Sequence, residues 1–189
     1  MIIVFDQVTN KWSEVSSFNN IREWCTLVSC GGFLHGIGGR AVNSAKEKVA
    51  LNTVERYSCR TNVIEETTQM IEGRWNASAV SVRSKIFVVG GFGADRKILV
   101  SCEVLDFETN QSSLISPMRI ARRGFGIAVN GAQILCTGGY EISSGKIRRM
   151  KSSEFFNVTD GTWQVGKDLV EKDGKDFGWE NIFSATIFD

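Results

Sequence analysis

Three short segments of this chain share one pattern, an apolar run that ends in two consecutive glycines. They are residues 34–39 (L-H-G-I-G-G), 86–91 (I-F-V-V-G-G) and 134–139 (I-L-C-T-G-G). An apolar run of this length fits a buried strand. Paired glycines allow a positive φ, or let another backbone approach closely. The segments recur about every 50 residues, which indicates a chain built of structural repeats.

Each repeat holds further strand-like segments around the double glycine. The glycine-ending run follows another strand-like segment, at residues 24–29, 76–82 and 124–129. A second strand–turn–strand unit comes later in each repeat, as in residues 104–112 (V-L-D-F-E-T-N-Q-S). Such units predict hairpins. Pro117 is the only proline, and no segment combines helix caps with a 3.6-residue period, so we predict an all-β chain with four strands per repeat.

The composition limits the classes of protein to which this chain can belong. Its 189 residues are 42% hydrophobic, enough for a sizeable core. With 22 basic and 21 acidic residues, the net charge of +1 gives no reason to expect nucleic acid or a membrane surface as partner. No apolar run is long enough for a transmembrane helix. The N-terminus has no basic segment followed by a long apolar one, so we expect no secretory signal and a cytoplasmic location.

Residues of the types that usually act in catalysis or bind metals are few in this chain. His35 is the only histidine, so neither a zinc site nor a histidine-based triad can be built. The five cysteines form no C-x-x-C motif, and we interpret them as reduced. The glycines at 90–93 follow a strand but do not open a helix, so they are no dinucleotide fingerprint. We therefore predict no enzyme, no catalytic residue, no metal and no cofactor.

The order of residues around the second double glycine resembles the kelch repeat family. The matching residues, in chain order, are Gly90, Gly91, Glu103, Asp106, Met118 and Arg122. The resemblance covers essentially the whole chain and implies a kelch-type β-propeller. The tryptophan of the family pattern is kept at Trp12 and Trp163, where we expect it to seal one blade against the next. It is replaced by Ile64 and Ser112 in the other two repeats.

The resemblance divides the chain into propeller blades within one region, residues 1–189. About three complete four-stranded blades are expected, at about 22–66, 74–116 and 122–165, with partial blades at 1–16 and 176–189. Kelch propellers of the resembled family close with more blades than this. An open arc leaves apolar surface at both ends. We therefore expect a fragment of a longer protein, a chain that assembles with another copy, or a small four-bladed ring.

Three arginines recur at one position of the repeat: Arg22, Arg74 and Arg122. In the resembled family, some adaptors use an arginine at this position, near the propeller mouth, to grip acidic peptides. A guanidinium suits a carboxylate because its planar fork gives paired hydrogen bonds. The fourth equivalent residue is Asp173, which breaks the series. The alternative role for each arginine is structural, pairing with an acid of a neighbouring blade or capping a carbonyl. Trp75 is a further candidate, as an aromatic residue facing the mouth.

The resemblance implies a protein–protein interaction module. Its commonest form is the substrate-recognition part of a BTB–kelch adaptor for a cullin-based ubiquitin ligase. In that form the cullin scaffold is reached only through domains outside this chain. The partner would be a protein or peptide, acidic if the arginines bind it. One alternative is an actin-binding kelch protein. A less favoured one is a sugar-isomerising kelch enzyme, which needs only an arginine, a glutamate and a pocket.

Overall fold

A computed structural model of the chain describes residues 2–143 and 145–169. Within those ranges the regular structure consists of twenty strands, and no described residue is helical. The prediction of an all-β chain is therefore confirmed. The partial blade predicted at 176–189, and Asp173 before it, lie outside the described residues.

The strands are short, and their bounds in chain order are as follows. The first ten are β1 (Ile2–Asp6), β2 (Lys11–Ser16), β3 (Thr26–Cys30), β4 (Phe33–Ile37), β5 (Arg40–Val42), β6 (Lys48–Ala50), β7 (Val54–Ser58), β8 (Ile64–Glu66), β9 (Arg74–Trp75) and β10 (Ser78–Val82). The next ten are β11 (Lys85–Val89), β12 (Phe92–Gly93), β13 (Cys102–Asp106), β14 (Gln111–Ile115), β15 (Gly126–Asn130), β16 (Gln133–Thr137), β17 (Tyr140–Ser143), β18 (Lys146–Arg149), β19 (Ser153–Asn157) and β20 (Thr162–Val165).

Twelve of these strands form three antiparallel four-stranded sheets. The first sheet has the order β3-β4-β7-β8, the second β10-β11-β13-β14 and the third β15-β16-β19-β20. Spatial order follows chain order, so each sheet is a meander. The remaining strands form two-stranded ribbons: the hairpin β1-β2, and three small ribbons, β5-β6, β9-β12 and β17-β18, which follow or flank the double glycines.

The double glycines join one sheet to the next. Gly38 and Gly39 both have a positive φ, and the amide of Gly39 donates to the backbone carbonyl of Arg74 at 2.9 Å. A Cβ at Gly38 would lie only 2.4 Å from that carbonyl oxygen. Gly91 makes the same bond to the carbonyl of Arg122, at 3.0 Å. The repeated pattern is therefore required because the backbone of the following sheet comes too close for any side chain.

Two apolar clusters fill the spaces between the three sheets. The cluster between the first and second sheets includes Val28, Val54, Ile86, Val88 and Leu105. The cluster between the second and third includes Phe87, Val89, Ile134, Cys136 and Phe156. Successive residues of β11 thus belong alternately to the two clusters, since side chains of a strand point to opposite faces. A strand with neighbours on both faces is apolar throughout, which explains its continuous run I-F-V-V.

The two tryptophans predicted to seal the blades differ in their burial. Trp163 is 8% exposed, and its indole N–H donates at 2.7 Å to the carbonyl of Ser116, the residue after the last strand of the second sheet. Trp12 is 66% exposed and contacts the ring of Phe5 in its own hairpin, with ring centroids 5.2 Å apart. The prediction is therefore wrong for Trp12, because no described sheet covers that face of the β1-β2 hairpin.

Candidate functional site

Each four-stranded sheet encloses one buried arginine–glutamate ion pair. The pairs, with their nitrogen–oxygen distances, are Arg22–Glu55 at 2.6 Å, Arg74–Glu103 at 2.6 Å and Arg122–Glu154 at 2.9 Å. The other terminal nitrogen of Arg74 donates to the carbonyls of Gly90 and Ser101. The guanidinium thereby fastens the end of β11 to the start of β13. A buried charge needs such complete pairing, because desolvation is otherwise costly.

The buried glutamates also hold the segment that enters each sheet. Glu103 accepts hydrogen bonds from the amides of Ile71 and Glu72, at 2.7 and 3.1 Å, and from the hydroxyl of Ser112 at 2.8 Å. Glu55 and Glu154 accept the equivalent amide bonds in their own sheets, from Asn19 and Asn20 and from Arg119 and Ile120. Each ion pair is therefore the junction between a connecting segment and the sheet that follows it.

The pKa of the Glu55 carboxyl group departs from its ordinary value. Burial by itself raises the pKa of the Glu55 carboxyl group. Hydrogen bonds from Asn20 and Arg22, the charge of Arg22 and the amide of Asn19 together outweigh that effect. The pKa of Glu55 is therefore lowered, so the carboxylate stays charged and keeps its partners.

The predicted role of Arg22, Arg74 and Arg122 in partner binding needs correction. Their side chains are 2%, 0% and 0% exposed, and their terminal nitrogens donate to carbonyls and carboxylates of their own sheet. Guanidinium groups bonded in this way present no free surface to an acidic peptide. Their placement favours the alternative role, in which each arginine pairs with an acid or caps a carbonyl. The acid belongs to the same sheet as the arginine, however, and not to a neighbouring one.

The residues directly after the buried arginines lie at one end of the sheets and are more exposed than the arginines. Each one faces, across a short antiparallel bridge, the residue that follows the double glycine of its own repeat. The three facing pairs are Glu23 with Arg40, Trp75 with Phe92, and Arg123 with Tyr140. We call these six residues the end row. Backbone hydrogen bonds from Asn76 to Trp24 and from Gly124 to Asn76 hold the three repeats side by side here.

The chemistry of the end row changes from one repeat to the next. The first pair is an ion pair between Glu23 and Arg40. The second is an aromatic contact, since the rings of Trp75 and Phe92 have centroids 4.7 Å apart. In the third, the Arg123 guanidinium lies over the ring of Tyr140 at 5.9 Å. A constant buried frame thus carries three different surface pairs.

Trp75 lies where partner contact is possible, as the middle member of the end row. It is partly exposed, and its ring is held by Phe92 from the facing strand. The sequence singled out Trp75, but it did not identify the neighbours with which Trp75 forms a surface. Phe92, Arg123 and Tyr140 were missed. Their signal was their position, one residue after a recurring arginine or a double glycine.

Arg123 is the arginine of this region without an acidic partner. Its guanidinium lies between two rings, 5.5 Å from the centroid of Phe92 and 5.9 Å from that of Tyr140. Its Nε is buried and makes no hydrogen bond, and no carboxylate in the described part of the chain lies within ion-pair distance. Stacking between rings fixes the direction of a guanidinium while leaving its charge uncompensated.

Comparison with known proteins identifies the repeat. A family model described as Kelch motif matches residues 74–119, which span the buried Arg74 and the whole second sheet. Residues 74–119 carry a kelch motif. The resemblance inferred from the double glycines is thereby confirmed.

Curated kelch proteins are similar to this chain along most of its length. Kelch-like protein 41a of Danio rerio is 23% identical over 92% of this chain and 27% of its own length. Kelch repeat and BTB domain-containing protein 8 of Homo sapiens is 27% identical over 88% of this chain and 26% of its own length. An F-box/kelch-repeat protein of Arabidopsis thaliana is 29% identical over 72% of this chain and 40% of its own. The chain spans about a quarter of the length of the first two relatives.

A solved structure supports the same fold. The chain in the structure of YjhT superposes with a TM-score of 0.75 at 16% identity, covering 84% of this chain and 56% of that one. With the three four-stranded sheets, this confirms the predicted kelch-type propeller fold. No helix among the described residues is long and apolar enough to cross a membrane.

Proposed function

We propose that this kelch chain is a non-enzymatic protein-interaction module and that its end row forms the centre of the partner-binding surface. The observation that carries the proposal is the contrast within each repeat. The buried arginine and glutamate are the same in all three sheets, whereas the partly exposed pair beside them differs every time. A constant frame with varied surface pairs suits recognition of a specific partner, because rigid elements position the contacting side chains.

The make-up of the end row also fits an interface. It contains a tryptophan, a tyrosine, a phenylalanine and two arginines, and aromatic residues and arginine are enriched in interface centres. Trp75 and Arg123 are already held by neighbouring rings. Residues held in place before binding lose less side-chain entropy when a partner docks.

The wider role that we propose is substrate recognition within a BTB–kelch adaptor for a cullin-based ubiquitin ligase. We propose that this adaptor acts in the cytoplasm. The similarity to Kelch-like protein 41a, and to a human kelch protein with a BTB domain in its name, supports this assignment. A catalytic role is less well supported, because the buried glutamates already accept hydrogen bonds from arginine and backbone donors. The blades at 22–66, 74–116 and 122–165 are proposed to act together as one region.

Peptide selection tests the proposed surface. A random peptide library is selected on the whole chain, and enriched peptides are measured against three forms: the unchanged chain, Trp75→Ala, and Arg83→Ala as control. Arg83 is exposed in the turn between β10 and β11, at the other end of the second sheet. We expect Trp75→Ala to weaken peptide binding at least about tenfold, because one strong interface anchor is lost. Arg83→Ala should leave peptide binding unchanged.

Two results would contradict the proposal. One is a selection that yields no binding peptide. The other is a set of peptides whose affinity does not depend on Trp75. Circular dichroism and thermal unfolding of each variant show whether a lost affinity reflects the surface or a disturbed fold.

A further inference from the structure

The hairpin β1-β2 has the form of the outer half of a four-stranded sheet. In its turn, the carboxylate of Asp6 accepts hydrogen bonds from the amides two and three residues later, as that of Asp106 does between β13 and β14. The segment after β2 binds Glu55 as the segment after β8 binds Glu103. In the described part of the chain, however, no strand pairs with the second edge of β1, where the inner strands of the other sheets lie.

The inner half of the first sheet is exposed on the side of the hairpin. Leu27 of β3 has the position that Ala79 has in β10 and Ile127 in β15. Ala79 and Ile127 are 3% and 2% exposed, because they belong to the clusters between the sheets, whereas Leu27 is 53% exposed. Leu34 of β4 is also partly exposed, although its counterpart Ile86 is fully buried. The first sheet therefore presents apolar surface to the solvent at this place.

The hairpin has an exposed apolar face of its own. Phe5 and Trp12 are paired in register, and Ile3 lies two residues from Phe5, so all three side chains share one face. All three are exposed. Trp163, the counterpart of Trp12, uses this face to pack into the cluster between its own sheet and the preceding one. The face of the hairpin is thus of the kind that packs on another sheet.

The far side of the third sheet has a different chemistry. Thr137 and Ser153 pair at the ends of β16 and β19, where the second sheet has Val89 and Cys102. Val89 and Cys102 belong to the cluster between the second and third sheets. The corresponding face of the third sheet therefore carries hydroxyl groups at two apolar positions. Packing the hairpin of one copy on the third sheet of another would desolvate polar groups, which is unfavourable.

We propose that two copies of this chain form a dimer in which the hairpin β1-β2 of each copy covers the first sheet of the other. The face with Ile3, Phe5 and Trp12 then packs on Leu27 and Leu34 of the second copy. Because each copy has both the covering face and the uncovered sheet, the two contacts are equivalent. A twofold axis relates them and closes the assembly at two copies. This inference goes beyond the proposed function and does not rest on it.

Analytical ultracentrifugation of the whole chain tests the dimer. Loading concentrations from about 1 µM to about 100 µM include the Kd on the order of 10 µM that we expect for a small interface. Leu27→Glu places a charge on the covered sheet, and Trp12→Arg places one on the covering face. Leu114→Glu is the matched control, because Leu114 is 59% exposed in β14 of the second sheet. Circular dichroism and thermal unfolding show that each variant is folded.

The unchanged chain and Leu114→Glu should pass from monomer to dimer as the concentration rises. Leu27→Glu and Trp12→Arg, each by itself, should raise the Kd of the dimer at least about tenfold, since a charge is buried there without a partner. An equal mixture of these two variants should regain the dimer. In the mixed pair, the introduced glutamate meets the introduced arginine at one contact, and the native Trp12 meets the native Leu27 at the other.

Four results would overturn the inference. They are an unchanged chain that stays monomeric at every concentration, a mass that grows beyond two copies, a Leu27→Glu chain that dimerises as well as the unchanged one, and a mixture that stays monomeric. The first would mean that the chain covers its own first sheet or leaves it open. The proposed function is tested separately, because the dependence of peptide binding on Trp75 can be measured in the Leu27→Glu background.

Discussion

The backbone carbonyl of Arg74 accepts a hydrogen bond from the amide of Gly39, so the second sheet is tied to the end of the first at 2.9 Å. The side chain of the same Arg74 points into its own sheet, where it pairs with Glu103. One residue thus joins two sheets, with its backbone on one side and its guanidinium on the other. This explains why the double glycine and the arginine recur together in the sequence.

Alanine at Gly38 tests how closely the sheets approach. Gly38→Ala combines an unfavourable φ of +58° with a Cβ only 2.4 Å from the Arg74 carbonyl oxygen. Gly31→Ala is the matched control, since Gly31 has a φ of +59° but no atom within 4 Å of the added Cβ. We expect Gly31→Ala to cost about 1–2 kcal/mol and Gly38→Ala about 1–3 kcal/mol more. Urea unfolding measures both, and equal losses would show that the backbone contact is unimportant.

Removing a buried arginine should cost far more than removing an exposed one. Arg74→Met leaves Glu103 charged and unpaired in the interior, where both side chains are 0% exposed. Such a loss costs about 3–5 kcal/mol. Arg56→Met breaks the Arg56–Glu65 pair, whose side chains are 32% and 51% exposed, and should cost about 1 kcal/mol or less.

Chemical denaturation of the two arginine variants measures how much stability each one loses. An Arg74→Met chain that no longer unfolds cooperatively agrees with the expectation. An Arg74→Met chain as stable as Arg56→Met would mean that Glu103 finds other hydrogen-bond donors.

The strands were predictable from the sequence because their pattern recurs at a fixed period. Segments such as Ile86–Val89 are too apolar to lie anywhere but between two sheets. The burial of the arginines was harder to predict, since a position in a repeat does not tell where a side chain points. A signal was present: an acid follows each arginine by 29 to 33 residues, at Glu55, Glu103 and Glu154. Three acids that recur with nearly the same spacing as three arginines indicate ion pairs within the protein.

The end row was harder to find from the sequence, because its residue types differ from one repeat to the next. Glu23, Trp75 and Arg123 share neither charge nor shape; only their position after a recurring arginine marks them as equivalent, and the register of the short bridges agrees with it. The loss of the family tryptophan at Ser112 has a clearer physical reason. The hydroxyl of Ser112 donates to Glu103, so a small polar residue there completes the buried pair.

Cysteine reactivity reports on the packing between the sheets. All five cysteines are free; Cys59 is exposed, whereas Cys102 and Cys136 are buried. Burial raises the pKa of the Cys102 thiol to about 11 and that of Cys136 well above its usual value. Because the thiolate is the reactive form, iodoacetamide should modify Cys59 much faster than either buried thiol.

Mass spectrometry of the alkylated protein, at increasing reaction times, gives the rate at each cysteine. In concentrated urea the rates should become similar, because unfolding removes the difference in burial. Fast labelling of Cys136 without urea would show that the second and third sheets separate readily.

The stability of the chain should fall as the solution becomes acidic, partly through His35. This side chain is 2% exposed and lies against the ring of Phe107, with centroids 4.3 Å apart, between the first and second sheets. Burial lowers the pKa of His35 below 6.5, and the charge of Arg56 adds to that effect, although the Cys30 carbonyl opposes it. The folded chain therefore binds the proton less readily than the unfolded chain. Stability is complete above about pH 6.5, the unfolded pKa, and decreases as pH falls towards the folded pKa.

His35→Phe separates this effect from that of the carboxyl groups. Since His35 is the only histidine, the variant should lose the decrease that begins near pH 6.5. Both chains should still lose stability at lower pH, where the carboxylate of Glu55, whose pKa is lowered, becomes protonated and its bond to Arg22 weakens. The measurement is urea unfolding of both chains from pH 8 to pH 4. Parallel curves between about pH 6.5 and pH 5 would show that His35 is not held neutral by its site.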